Sequence, residues 1–293
     1  LSHADDQRSG DPLNYRHEFH AGNFADVFKH VLLARVLLYL ARKETAFRYI
    51  ETHAGRGRYD LSAPEAERTG EWRAGIGRFL AAPAPRELEP LISPYRAIVG
   101  ASMSGMPPLY PGSPLIAKQL LRRQDRMILC EREPRARAAL SAAFGRERPA
   151  KTIEMDGFIG LNAFIPPAER RGLVFIDPPF EDKDEFDRLA ALIPAAWRKW
   201  RSGLYMLWYP VKEARGAQAL AQALVASGIA QLLRLELQVD HVKCDGPLAR
   251  CGLLIVNPPF TLAEEAAMLL PHLARCMGHG GGACFEVEWL ARD

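Results

Sequence analysis

The chain has 293 residues, 48% hydrophobic and 25% charged, an ordinary globular composition with room for one large α/β domain carrying an insertion, or for two small domains. A net charge of only +3 excludes a blanket polycationic surface, so any nucleic acid must be held by local basic patches. The five cysteines (Cys130, Cys244, Cys251, Cys276, Cys284) form no CxxC pair, which argues against a zinc site or a disulfide framework and predicts a reducing, cytoplasmic setting. Residues 1–12 are polar and non-periodic and read as a flexible extension, with no signal peptide at the start. Asn23 can cap a helix over Phe24–Lys43 whose apolar face holds Val27, Val31, Ala34 and Leu38. Its apolar run, Val31–Ala41, is interrupted by Arg35 and too short to span a bilayer. A strand over Phe47–Glu51 then leads into THAGRGRY.

From Ala63 to Tyr110 proline becomes frequent, and helical stretches at Glu65–Leu80 and Leu88–Ser102 mark a small helical insertion, 63–103. Around it, 13–62 and 104–293 form the main domain. Strands are predicted at Met127–Cys130, Thr152–Met155, Leu173–Ile176, Leu204–Trp208, Leu232–Val239, Leu253–Val256 and Cys284–Trp289. Helices are predicted at Ser113–Leu121, Pro134–Phe144, Asp184–Trp200, Glu213–Ser227 and Leu262–Met277. The alternation implies an α/β fold with a mostly parallel sheet.

Four signals carry chemistry. Gly55 and Gly57, in AGRG after the first strand, allow a sharp turn and close ligand approach, although a lone GxG is also an ordinary turn. Glu131 follows the strand MILC, where a carboxylate can bind ribose hydroxyls, or serve as a helix N-terminal acid. Asp156 and Gly157 follow the next strand; the aspartate can accept from an adenine amine or cap a helix, and the glycine leaves room for a ring. The most specific signal is Asp177-Pro178-Pro179-Phe180 after an apolar strand. Each proline forces the residue before it to be extended and offers no N–H, so the loop stays open. The Asp177 carboxylate and the Pro178 carbonyl can together accept both hydrogens of an aromatic amine. That favours a pyramidal nitrogen with a localised lone pair, a state closer to the transition state than to the ground state. Asp177 can also take the departing proton, and Phe180 offers a face for an extruded base.

A second copy, Asn257-Pro258-Pro259-Phe260, is separated from the first by topology. Only a loop joins Leu232–Val239 to Leu253–Val256, so these strands should pair antiparallel. Asn257 then falls on the sheet edge opposite the ligand crevice, which lies at the carboxyl ends of the parallel strands.

In this order the residues resemble a class I methyltransferase, and more closely the RlmJ family, which methylates an adenine-N6 of 23S ribosomal RNA. The resemblance runs from Leu13 to the C-terminus through NYRHEFHAGNFADVFKH, THAGRGRY, AERTGE, YPGSPLIA, DGF, RRGLVFIDPPF, LWYP and IVNPPF. It implies a Rossmann-like class I methyltransferase fold with an antiparallel C-terminal strand, S-adenosylmethionine as donor, and protein-free 23S rRNA as substrate. It places cofactor contacts at His30, His53, Ser113, Glu131, Asp156 and Gly157, with Lys29 beside the cofactor, the catalytic group at Asp177, and Tyr15 facing the substrate. Without the resemblance, His30 reads as a core residue and Ser113 as a helix cap. The family usually has tyrosine where this chain has Phe180, so stacking is kept and a hydroxyl is lost.

Basic side chains for RNA are sought at Lys243 and Arg250, in the loop expected to open on the active edge, and at three arginine groups: Arg122, Arg123 and Arg126; Arg132, Arg135 and Arg137; Arg170 and Arg171. A monomer without membrane or metal is expected. Competing readings are methylation of DNA adenine or rRNA guanine-N2, since Asp-Pro-Pro-Phe alone does not fix the base, and a catalytically silent nucleic-acid-binding protein linked to DNA uptake or use.

Overall fold

The computed structural model describes residues 16–145, 150–182, 184–212, 214–243 and 245–292. Residues 1–12, Tyr15 and Cys244 lie outside the described residues. A 3-10 turn, His17–Phe19, leads to α1 (Phe24–Ala41) and β1 (Arg48–Glu51). Then come β2 (Arg58–Asp60), α2 (Pro64–Thr69), a π-helical turn (Arg73–Gly77), α3 (Arg78–Ala81), α4 (Glu89–Met103), β3 (Leu109–Pro111) and α5 (Ser113–Leu120). The remainder alternates: β4 (Arg126–Cys130), α6 (Pro134–Phe144), β5 (Ala150–Ile153), α7 (Gly157–Ala163), β6 (Gly172–Ile176), α8 (Glu185–Lys199), β7 (Leu204–Pro210) and α9 (Ala214–Ala226). It closes with β8 (Leu232–Gln238), β9 (Arg250–Val256), α10 (Leu262–Met277) and β10 (Cys284–Ala291).

Eight strands form one sheet in the order β10-β8-β9-β7-β6-β1-β4-β5. Strands β5, β4, β1, β6 and β7 are mutually parallel, and β9 runs against both β7 and β8, as the short connection requires. β10 adds to the edge antiparallel to β8. Side chains alternate across the sheet, so Leu173 and Phe175 pack toward α1, α4, α5 and α10, while Val174 and Ile176 pack toward α7, α8 and α9. Among the described residues no helix is long and apolar enough to cross a membrane.

The cap on α1 is as expected: Asn23 Oδ1 accepts the Asp26 N–H at 3.1 Å. The single apolar face is not. Phe28, Leu32, Leu33, Val36 and Leu37 are fully buried on the other sides of the helix. The reason lies in the partners: α4, α5, α10 and the π-helical turn surround α1 on the sides away from the sheet. The segment read as an insertion lies between β2 and β3, which pair antiparallel as a separate two-stranded sheet. The expected helix Glu65–Leu80 is broken into three pieces. The π-helical turn docks on the start of α1, with Ile76 N–H donating to Gly22 O at 2.8 Å.

Candidate active site

The parallel strands all end on one edge, and their order sets the groups there in a row: Asp156 after β5, Glu131 after β4, the glycine loop after β1, and Asp177 after β6. Glu131 is wired to the glycine loop. One carboxylate oxygen accepts the Gly55 N–H at 2.7 Å and the other the Glu133 N–H at 2.8 Å. Burial raises its pKa, and these N–H groups pull it partly back. The helix-acid role belongs instead to Glu133, which caps α6 through the N–H groups of Arg135 and Ala136. Gly55 has φ +62°, a conformation that disfavours any side chain, and its turn brings the backbone N–H onto Glu131. Asp156 does cap a helix: one oxygen accepts the Phe158 N–H at 2.8 Å, and the other lies 3.6 Å from Arg132. A Cβ on Gly157 would sit 2.3 Å from Thr52 O and 2.5 Å from the His53 ring, so only glycine lets α7 approach the glycine loop this closely. The His53 ring bonds Thr52 Oγ1 at 2.8 Å, and desolvation lowers it to about 4, leaving it neutral.

On the other side of the glycine loop, His30 is buried with Nδ1 2.8 Å from Tyr110 Oη. Ser113 is not the cap of α5; Gly112 holds that place, and the Ser113 hydroxyl donates to Glu51 at the end of β1. Glu51 also accepts from Tyr49 Oη at 2.8 Å.

At Asp177 the structure supplies a contact that no spacing announces. Lys29 Nζ donates to Asp177 Oδ2 at 2.7 Å and lies 2.9 Å from Asp26 Oδ1. It also sits 5.1 Å above the Trp208 ring. Asp26 in turn accepts from Gly22 N–H at 2.8 Å and contacts His17 Nε2 at 3.1 Å. Desolvation pushes the Asp26 carboxyl up, but the charges of His17 and Lys29 outweigh it and hold the group well below its ordinary value. Asp177 Oδ1 takes no hydrogen bond from any described residue, which leaves it as an open acceptor. Phe180 adopts φ +53° and is half-buried, its ring 4.7 Å from Phe186 and 5.9 Å from Trp208. Sequence reasoning does not single out Trp208 beyond the LWYP resemblance, because its strand reads as plain core.

The competing Asn257 lies on the opposite edge. Its Nδ2 donates to Arg201 O and Gly203 O, both at 2.7 Å, just before β7 begins. That duty needs an amide, which explains asparagine here and aspartate at 177. Two arginine groups also fall on that edge as structural clamps. Arg122 donates to the carbonyls of Ala41, Lys43 and Thr45, and Arg171 to those of Leu40 and Thr45. Arg137 pairs with Glu154 at 2.6 Å. Lys243 is exposed in the loop after β8. Arg250 corrects the expectation of a loop residue: it opens β9 and is held by Glu236 and Glu286, so its charge is already engaged. Among the described residues the cysteines are free and no cluster fit for a metal occurs.

Residues 44–291 match the family described as ribosomal RNA large subunit methyltransferase D, RlmJ. The chain belongs to the RlmJ family. It is 39% identical, over 96% of its length and 100% of theirs, to ribosomal RNA large subunit methyltransferase J of Haemophilus influenzae, and 38% identical on the same terms to that of Escherichia coli. Among solved structures, protein LPL1258 of Legionella pneumophila superposes with a TM-score of 0.83 at 34% identity, over 92% of this chain and 98% of that one.

One electrostatic consequence for this RlmJ-family site concerns Glu51. Burial lifts its carboxyl from 4.5 to about 8, against the lowering effect of the Ser113 and Tyr49 hydroxyls. A pKa raised by folding means the folded state holds the proton more tightly. The associated stability is full below pH 4.5 and is lost as pH rises through about 8. Glu51→Gln mimics the protonated acid and removes this loss. The variant should therefore gain on wild type by ~3 kcal/mol between pH 6 and pH 9. Urea unfolding at the two pH values measures it, and a gap that stays constant or shrinks rejects the assignment.

Proposed function

We propose that the chain methylates N6 of a specific adenine in protein-free 23S rRNA, using S-adenosylmethionine. The observation that carries this reading is Asp177: a carboxylate at the end of a central strand, one oxygen held by Lys29, the other open, beside the Phe180–Trp208 aromatic wall. The residues present fit the cofactor. Gly55 turns its backbone toward Glu131, whose carboxylate suits ribose hydroxyls, and Gly157 lets α7, capped by Asp156, close against the glycine loop, which places that carboxylate beside Glu131. His30, His53 and Ser113, with Gly57, complete the cofactor side.

When bound, the cofactor supplies an electrophilic methyl group. The protein's part is to prepare the amine. Asp177 Oδ1 and the Pro178 carbonyl accept its two hydrogens, which localises the nitrogen lone pair. Phe180 gives the extruded base a stacking face, and Trp208 backs that ring. After transfer Asp177 takes the surplus proton, and Lys29 keeps its second oxygen in place. Tyr15 and Lys243 are assigned to the RNA; Arg250 is left to its ion pairs.

The test is transfer of labelled methyl from S-adenosylmethionine to protein-free 23S rRNA, followed by nucleoside analysis. N6-methyladenosine is the expected product. Labelled N2-methylguanosine would move the reading to guanine. No label, with S-adenosylhomocysteine still bound, would remove rRNA as the substrate and favour DNA adenine or a binding role.

A further inference from the structure

We propose that Tyr95 and Tyr110 fix the tautomer of His30, so that its Nε2–H is presented as a donor to the carboxylate of the bound cofactor. This rests on the cofactor reading above. It also gives the helical segment between β2 and β3 a part in cofactor binding, because Tyr95 belongs to α4.

Three buried groups form a chain. Tyr95 Oη lies 2.9 Å from Tyr110 Oη, and Tyr110 Oη lies 2.8 Å from His30 Nδ1. Both tyrosines are fully buried, and His30 is 1% exposed. Burial pushes the imidazole down to about 3, so it is neutral and carries a single N–H. Which nitrogen carries it follows from the far end of the chain. Tyr95 Oη has no acceptor for its hydrogen among the described residues other than Tyr110. Its hydroxyl must therefore donate to Tyr110, because a buried O–H without an acceptor is costly. Tyr110 then has one hydrogen left and one neighbour to receive it, His30 Nδ1. The two alternatives each strand a hydroxyl hydrogen. If His30 Nδ1–H donated to Tyr110, either the Tyr95 or the Tyr110 hydrogen would be left without a partner. The proton of His30 is thus on Nε2, and Nε2 makes no hydrogen bond to a described residue.

An N–H without a partner among the described residues, on a side chain only 1% exposed, is open to an acceptor from outside the protein, and the order of groups along the edge indicates which. Adenine and ribose fall to Asp156 and Glu131, and the methyl group must face Asp177. The amino-acid end is left for the α1 and α5 side of the glycine loop, where His30 and Ser113 lie. A carboxylate there is matched by Nε2–H. The other tautomer would set a nitrogen lone pair against it.

The test compares wild type, Tyr95→Phe and Tyr110→Phe with two probes. S-adenosylhomocysteine carries the carboxylate; 5′-methylthioadenosine keeps the adenosine and the sulfur but lacks it. By calorimetry, Tyr110→Phe should weaken S-adenosylhomocysteine roughly tenfold and Tyr95→Phe roughly threefold, with 5′-methylthioadenosine changed by less than about twofold. Equal weakening of both probes, or of neither, overturns the proposal. Nitrogen NMR of the wild type, with His30 assigned through His30→Gln, should show the proton on Nε2 in the free protein, and a proton on Nδ1 overturns it even if the phenylalanine variants do not fold. Wild type that binds neither probe removes the cofactor reading, and with it the carboxylate as acceptor, while the NMR result still decides the hydrogen-bond chain.

Discussion

Asp177→Asn is expected to lower the rate of methyl transfer by roughly a thousandfold or more, with S-adenosylhomocysteine affinity within about threefold of wild type. The substitution keeps the size and shape of the side chain, so its effect is electrostatic. Lys29 Nζ approaches Oδ2 at 2.7 Å and has only hydrogens to offer, so the introduced amide must turn its oxygen to Lys29. The NH2 group then occupies the place of Oδ1 and directs hydrogens at the hydrogens of the target amine. An acceptor becomes a repulsive donor, and the proton acceptor is lost at the same time. The cofactor side, at Glu131, the glycine loop and His30, is not touched by the change. Single-turnover transfer to 23S rRNA and calorimetry with S-adenosylhomocysteine read the two halves separately. A variant that keeps a tenth of the wild-type rate, or that loses cofactor affinity in proportion to rate, would remove Asp177 from its role.

The tetrapeptide that identifies Asp177 was legible because its chemistry is local: four adjacent residues after an apolar strand. The choice against Asn257 was legible because the connection between β8 and β9 is too short for a parallel crossover, and the pairing is antiparallel. What the sequence could not display was separation in the chain. Lys29 and Asp177 are 148 residues apart, and Lys29 looks like one more polar residue on an apolar helix. Tyr95, Tyr110 and His30 likewise lie on three elements and meet only in the fold. Local patterns also misled where tertiary partners decided the outcome. The one-faced reading of α1 fails because helices cover it on several sides, and α7, with glycines at 157 and 160, carries too little helix propensity to be noticed. Arg122 and Arg171 read as candidate RNA-binding charge until their carbonyl partners are seen.

Lys29→Met should be the most destabilising single change at the site, by about 3–5 kcal/mol, because it breaks a buried ion pair from one side. The Lys29 side chain is 6% exposed, and the carboxylates it joins, Asp26 and Asp177, are 1% and 14% exposed. Methionine fills the space and keeps contact with the Trp208 ring, so packing is nearly conserved and the loss reports charge. Asp26 would retain His17 and the Gly22 N–H, but Asp177 would face it without the cation between them. Asp177 would lose the donor that fixes its second oxygen, and transfer near neutrality should fall by at least about a hundredfold. Combining Lys29→Met with Asp177→Asn removes the stranded charge and should recover about half of the lost stability without recovering activity. Urea unfolding of wild type, both single variants and the double variant closes the cycle. If Lys29→Met costs less than about 1 kcal/mol, or if the double variant is simply the sum of the singles, then Lys29 does not hold Asp177 by charge. The site would then owe the placement of its carboxylate to the rigid strand and prolines alone.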